Sequence, residues 1–584
     1  MRRKLVNGQY FDKSYKIRMK KQFFFLIIFH FFTNINGQTI NLNQSSIIEN
    51  IRDQQLIGNI SSDLSFNLKP ISLKNFDTDE IKTLKLQNYA PSFLKFLNGK
   101  IHFKILPIDY NLEFNSDHPY NRNNGTMIPN RGYQHVFSPG LYAKIGPLEI
   151  TLKPEHHFAE NKNFEGFWEG HRDVIWERRY FLWNKIDIPE KFGDGNHNST
   201  YIGQSSIRLN FKNLSLGISN ENIWWGPSIR NSIMMSNHSR GFKHITFNTI
   251  KPIKTKIGDF EWQVISARLE SSGYNQSGYD KSNAGRPIYV PKINQIGETD
   301  DWRYMQALLF SYSPKWIDGL SLGYIRWVQF YSALVEGKYS WMSGNTGYFP
   351  VFSNLFRKND KNASHEAQID QAAGLFFRWL WKESNTEIYS EYHFNDSKVN
   401  LRDLLLDSKH ARAFTIGLQK YFSKNSIKFN FEWTQMEQTG GRLLRNASSW
   451  YMHGFVYDGF TNEGEVLGAS IGPGSNSQYI SLTKLKENSK ITLGLEIIHH
   501  DNDFYYMAFE NSSDFRRYWK DYNVNLKYQT KFKNLWLAMD AFYIRSLNYQ
   551  WGLEEDPTKY YIPGIDKNNF HVSLKLSYEI PLTN

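Results

Sequence analysis

The chain of 584 residues contains no cysteine. That excludes a disulfide framework, a thiolate metal site, a cysteine nucleophile and a lipidated cysteine anchor. It also has no apolar run approaching the ~20 residues of a spanning helix, and mean hydropathy is only -0.56. A low mean does not exclude a membrane β-barrel, whose strands turn only alternate side chains to lipid. A strong charge of one sign is missing too. The formal charge is +12, but residues 1–37 hold eight Lys/Arg and one Asp, leaving 61 basic against 56 acidic residues. So small an excess on so long a chain implies no nucleic-acid partner.

Aromatic residues, by contrast, make up 16% of the chain. Tyr and Trp, with an apolar ring and a polar tip, suit a water–lipid boundary. Near the N-terminus, Lys20-Lys21 precedes the apolar run Phe23 to Phe32, followed by the small and polar Thr33 to Gln38. A basic region, a short apolar region and a small residue before the cut describe a secretory signal peptide. The reading is an upstream extension over 1–18, a signal peptide over 19–37 from Met19, and cleavage after Gly37.

From 38 to 99 the pattern is partly helical: Ile47, Ile48, Ile51, Leu56 and Ile57 recur near helical spacing, as do Ile81, Leu84 and Leu86. This region is expected to be a periplasmic-side element or a plug. From 100 to 584 the period is two. Ile207, Leu209 and Phe211 alternate with Arg208 and Asn210; Ile427, Phe429, Phe431 and Trp433 with Lys428, Asn430 and Glu432; Ile491, Leu493, Leu495 and Ile497 with Thr492, Gly494 and Glu496. Val572, Leu574, Leu576 and Tyr578 close the series. Each run is near the ~9–11 residues of a tilted membrane strand. Breaks fall at Asn124-Gly125, Asp318-Gly319, Ser423 to Asn425 and Lys531 to Asn534. A soluble sandwich gives the same alternation. The number of runs, the signal peptide and aromatic strand ends (Trp379 and Trp381, Tyr421-Phe422, Tyr505-Tyr506) favour an all-β, large antiparallel transmembrane barrel.

The densest block of motifs spans Gly203 to Gly273. It holds Gly203-Gln204-Ser205-Ser206, Ser219-Asn220-Glu221-Asn222, Trp224-Trp225-Gly226-Pro227, Asn231-Ser232, Ser236-Asn237, Gly241-Phe242 with His244, and Phe260-Glu261-Trp262-Gln263. Together with Tyr120 to Gln134 and Pro154-Glu155, this block resembles the capsule-assembly (Wzi-like) family of outer-membrane proteins, in its Bacteroidetes-type form. The resemblance implies about 18 strands with a small N-terminal helical element. It also implies a surface lectin that holds exported capsular polysaccharide, without enzymatic turnover, cofactor or metal. Outer-membrane lipid and the polysaccharide export machinery are the further partners expected, and the chain is expected to be a monomer.

The block's chemistry suits a glycan on its own terms. Trp224 and Trp225 offer flat faces for a pyranose ring, and Gln204, Asn222, Asn231 and Asn237 offer the paired donors and acceptors that hydroxyls need. Arg208 and Arg268 suit acidic sugars, and Glu221, Ser236 and His244 complete the candidate set. The competing reading is that these side chains satisfy one another inside a lumen. Other chemistry is weaker. Carboxylate pairs such as Glu165 with Glu169, or Asp501 with Asp503, lack a spacing that marks a glycosidase. Adjacent histidines on a strand, such as His156-His157 or His499-His500, point to opposite faces and do not readily share an ion. Gly-Pro-Gly at 472–474 is a turn, with no phosphate-loop Lys after it. A porin-like channel for sugars or other small solutes is the alternative function.

Overall fold

The computed structural model describes residues 38–61, 63–87, 94–96, 101–274, 302–332, 349–352, 369–395, 401–445, 447–554 and 564–581. The expected leader at 1–37 lies outside them. The period-two runs become the staves of one closed antiparallel barrel of 18 strands. In chain order these are β1 (Ile101–Asn115), β2 (Gly132–Ile145), β3 (Leu148–Leu152 and Glu155–Ala159), β4 (His197–Tyr201 and Ser206–Phe211), β5 (Leu214–Ser219) and β6 (His244–Thr249). Then come β7 (Gly258–Leu269), β8 (Arg303–Pro314), β9 (Leu320–Tyr331), β10 (Asp370–Trp381), β11 (Thr386–Asn395) and β12 (Arg412–Phe422). The circuit ends with β13 (Ile427–Gln435), β14 (Asn476–Leu485), β15 (Ser489–His499), β16 (Lys520–Phe532), β17 (Leu535–Leu547) and β18 (Lys567–Tyr578). β18 closes on β1, from His571 opposite Asn115 to Tyr578 opposite Ile108.

β3 is broken at Lys153-Pro154, where proline has no N–H for the ladder. β4 bends to follow it at Gly203, whose φ is +62 and whose added Cβ would lie 2.4 Å from the Lys153 carbonyl oxygen.

Burial separates the barrel from the sandwich. On β15, Ile491, Leu493 and Leu495 are exposed while Lys490, Thr492 and Glu496 are buried. β4 repeats this with Ile207, Leu209 and Phe211 exposed and Asn210 buried, and β16 with Val524 and Leu526 exposed and Asn523 and Asn525 buried. A sandwich hides its apolar face; here the apolar face is outside and the polar face inside, as lipid requires.

One end of the barrel carries short turns, as at 146–147, 212–213, 382–385 and 533–534, and the other carries long connections, as at 116–131, 160–196, 220–243 and 436–475. In barrels of this kind the short turns are periplasmic and the long loops outside. Tyr505-Tyr506, read from sequence as a strand end, lies instead on a helix in a long connection, Asn502–Phe509. Two neighbouring aromatics do not distinguish the two settings, and this helix buries its rings against Phe167, Trp176 and Trp551.

The N-terminal segment lies in the lumen at the short-turn end. Helix α1 (Ser45–Ile57) forms on the expected spacing, whereas the short α2 (Thr78–Thr83) takes in only Ile81 and ends before Leu84 and Leu86. Ile47, Ile51, Phe66, Leu84 and Leu86 build a small apolar core of their own. Asp77 and Glu80 close a reciprocal capping box on α2. The outer face of the segment is tied to the turns: Asn385 donates to the Leu56 carbonyl at 3.0 Å and Lys85 to that of Glu487 at 3.1 Å.

Candidate functional site

The site grows from the loop 220–243, which leaves β5, enters the lumen and returns to β6. At its deepest point Trp224-Trp225 pairs antiparallel with Leu68-Lys69 of the N-terminal segment. The two closures of the barrel are therefore joined by backbone hydrogen bonds. Trp225 is fully buried beside Met234, Met235, Ile265 and Trp327, and its indole donates to Gln263 at 2.8 Å. The Trp224 indole donates to the Ser228 carbonyl at 3.1 Å, and its ring packs against the apolar core of the segment. Both rings are buried, and both indole N–H groups are engaged within the lumen. The chain turns at Gly226, φ +92, where a Cβ would lie 2.4 Å from a Glu391 carboxylate oxygen.

That carboxylate is one of several on the wall that bind the loop's backbone. Glu391 accepts from the Ser228 N–H at 3.0 Å. Glu432 accepts from the N–H groups of Ile229, Arg230 and Asn231 at 2.8, 3.1 and 2.8 Å, and from the Tyr389 hydroxyl at 2.7 Å. Glu496 pairs with Arg230 at 2.8 Å and with Arg122 of the neighbouring loop at 3.1 Å. Charged acceptors facing buried N–H groups make stronger bonds than neutral ones. The sheet supplies the acceptors, and beyond the two-residue strand at Trp224-Trp225 the loop has no regular structure, so the wall fixes the loop's shape.

The other candidates fall mostly into the same network. Gln204 donates to Glu155 at 3.0 Å and to Asn222 at 2.8 Å, and Asn222 donates to the Ser239 carbonyl at 2.7 Å. Arg208 pairs with Glu221 at 2.7 Å, and Glu221 also accepts from Ser219. Asn231 accepts from Arg122 at 3.0 Å, Ser236 donates to the Gly468 carbonyl, and Asn237 donates to the Asn123 carbonyl at 3.2 Å. His244 is buried and bonds the Phe242 carbonyl at 2.8 Å. Only Arg268 of the eleven is exposed; it pairs with Glu270 and lies 4.9 Å over the Trp302 ring at the long-loop end. Glu387, Glu391, Glu432 and Glu496, which organise the lumen, were not among the candidates. Their signal was present, as an acidic residue on the polar side of an otherwise apolar strand.

The remaining carboxylates have structural work as well. Asp501 caps the helix Asn502–Phe509 through the Phe504 N–H at 3.0 Å, and Asp503 accepts from Ser449 at 2.6 Å and from the Gln438 N–H at 2.8 Å. Burial, with Asp503 beside it, pushes the Asp501 carboxyl up to about 8; burial raises Asp503 to about 6. Among the described residues no group of three or more His, Cys, Asp or Glu is arranged to hold a metal ion.

A second plug of charge lies below the loop. Arg52 on α1 pairs with Glu387, which also binds Arg378 at 2.6 Å. Asp53 pairs with Lys490 at 2.6 Å and with Lys428, and Glu49 with Lys527 at 2.7 Å. The lumen is thus crossed by α1 at one level and by the inserted loop at another.

The family of the capsule assembly protein Wzi matches residues 141–531. Among solved structures, Wzi of Escherichia coli, described as an outer membrane protein involved in group 1 capsule assembly and a carbohydrate-binding β-barrel, is 14% identical. It has a TM-score of 0.53, covering 91% of this chain and 98% of that one. Pseudomonas aeruginosa OccK7 and OccK8 are 8% and 9% identical, each with a TM-score of 0.39, covering 82% and 84% of this chain and 100% of theirs. Those scores are too low to bear on this chain. No curated protein sequence matches it. With the match extending over more than half of its length, the chain belongs to the capsule assembly protein Wzi family, as an outer-membrane β-barrel.

Proposed function

We propose that this barrel binds exported capsular or extracellular polysaccharide and anchors it at the cell surface, acting by binding without turnover. The observation that carries the reading is the double closure of the lumen by α1 and by the loop 220–243, in a chain of this family. A barrel so filled spends its interior on rigidity and leaves its long-loop end to meet a polymer. Rigid loops bind a repeating polymer well, since many weak contacts add when little order has to be created. In this proposal Arg268 offers an exposed cation to the glycan and Trp302 a half-buried ring beside it. Gln204, Arg208, Glu221, Asn222, Trp224, Trp225, Asn231, Ser236, Asn237 and His244 serve it by fixing the loop platform. The porin-like alternative has no specific observation in its favour. The test is binding of purified barrel to immobilised polysaccharide from its own cells. Saturable retention that weakens in Arg268→Ala with Trp302→Ala is expected; no retention by the parent protein sinks the reading.

A further inference from the structure

Between α1, the inserted loop and the wall from β12 round to β1 lies an internal chamber. Its main part encloses about 260 Å³ and an adjoining part about 150 Å³, with Arg122, Arg230, Lys527, Asp540 and Lys575 lining both. Pockets that take small ligands begin near ~300 Å³. The ionic balance around this space is uneven. Glu496 faces two guanidiniums, Arg122 and Arg230; Glu387 faces two, Arg52 and Arg378. Glu49 and Asp53 together face three ammoniums, Lys428, Lys490 and Lys527. Each cluster is one carboxylate short, and Glu391 and Glu432, which accept from the loop's backbone N–H groups, offset two of the three, leaving an excess of one cation. Lys69 and Lys575 are balanced in number by Asp540 and Glu113, whose carboxylates accept from Asn525 and from Asn124 instead.

Buried charge in excess is costly, and most ionisable groups escape by changing protonation. Lys69 does: burial, with Arg52 nearby, pushes its amine well below the usual lysine range. Arginine has no such escape, and Arg52, Arg122 and Arg230 all line the chamber. Two more features point the same way. Tyr120, nine-tenths buried, lines the adjoining part, and its hydroxyl meets no hydrogen-bond partner. Ser45, the first residue of α1, lines both parts, and the first turn of that helix carries no acidic residue and no side-chain cap. The positive end of the helix dipole therefore adds to the arginines.

We propose that the chamber is a binding site for one small oxyanion group, a carboxylate or a phosphate, held by Arg122, Arg230 and Lys575 with the Tyr120 hydroxyl donating. The site stands independently of the surface-anchoring reading: it requires only the interior of the barrel, and it can fail while polymer retention succeeds. The experiment is equilibrium dialysis of the purified full chain in detergent against labelled inorganic phosphate, glucuronate and glucose, with the parent, Lys575→Gln and Tyr120→Phe, each first shown folded by its heat-modifiable migration. The expected result is saturable, salt-sensitive binding of at least one anion, no binding of glucose, and at least a tenfold loss in both variants. Tighter glucuronate marks a sugar acid as the source, tighter phosphate a free phosphate. Absence of both anions, equal binding of glucose, or unchanged affinity in both variants overturns the proposal.

Discussion

Removing the Glu432 carboxylate should release the loop 220–243 from the wall. In Glu432→Ala the N–H groups of Ile229, Arg230 and Asn231 and the Tyr389 hydroxyl all lose their acceptor. A buried donor left unpaired costs ~1–3 kcal/mol, so two buried donors (Asn231 and Tyr389) and two half-buried ones (Ile229 and Arg230) amount to on the order of 4 kcal/mol. At ~1.4 kcal/mol per factor of ten, that raises the open population of the loop roughly a thousandfold. The absence of native cysteine supplies the assay. Met234 is fully buried in the loop, so Met234→Cys reports opening by its rate of maleimide labelling. The expectation is slow labelling in the Met234→Cys parent, a rate higher by two to three orders of magnitude with Glu432→Ala, and an intermediate rate with Glu432→Gln, which keeps one acceptor oxygen. Equal rates in parent and Glu432→Ala, with both folded, would refute the view that the wall carboxylate holds the loop.

Other consequences can be measured. In planar bilayers the parent protein should show no steady pore, whereas deletion of 38–87 combined with Glu432→Ala should give discrete open steps; a stable pore in the parent contradicts the double closure. Asp501 has its folded pKa raised to about 8, so its share of stability is full below the unfolded value near ~4 and declines as pH rises through the folded one. Amide protection of Asn502–Phe509 should therefore fall between pH 5 and pH 9, and Asp501→Asn, which keeps the cap, should flatten that slope. On the lipid side, Leu493→Arg should lower folding free energy into vesicles by ~2–4 kcal/mol if it lies near the bilayer midplane; an effect under 0.5 kcal/mol would place that face away from lipid.

The strands were legible because alternation survives in the sequence, as in Ile491 to Ile497, and α1 because Ile47, Ile48 and Ile51 fall on one helical stripe. Which face met lipid was not legible from any one strand, since a sandwich and a barrel share the period and differ only in what lies beyond each face. Strand number and aromatic ends settled it in the right direction, although Tyr505-Tyr506 was a helix. The loop was harder. Trp224-Trp225-Gly226-Pro227 was visible as a special segment, and its glycine is required by Glu391, but its covering came from elsewhere. Leu68 and Lys69 lie some 155 residues before the pair, and Glu391 and Glu432 some 165 and 205 residues after it. No local pattern encodes which distant carboxylate answers which N–H. The lumen reading of these polar residues, weighed against the glycan reading from the sequence, accounts for their hydrogen bonds.

The measurement that bears most directly on the account is the division of polysaccharide between cells and medium. It would be made in cells lacking the protein, in cells carrying the parent, and in cells carrying Arg268→Ala with Trp302→Ala at equal outer-membrane abundance. The account predicts intact polymer shed into the medium without the protein, retention with the parent, and partial shedding with the double variant. An unchanged division in cells lacking the protein contradicts it.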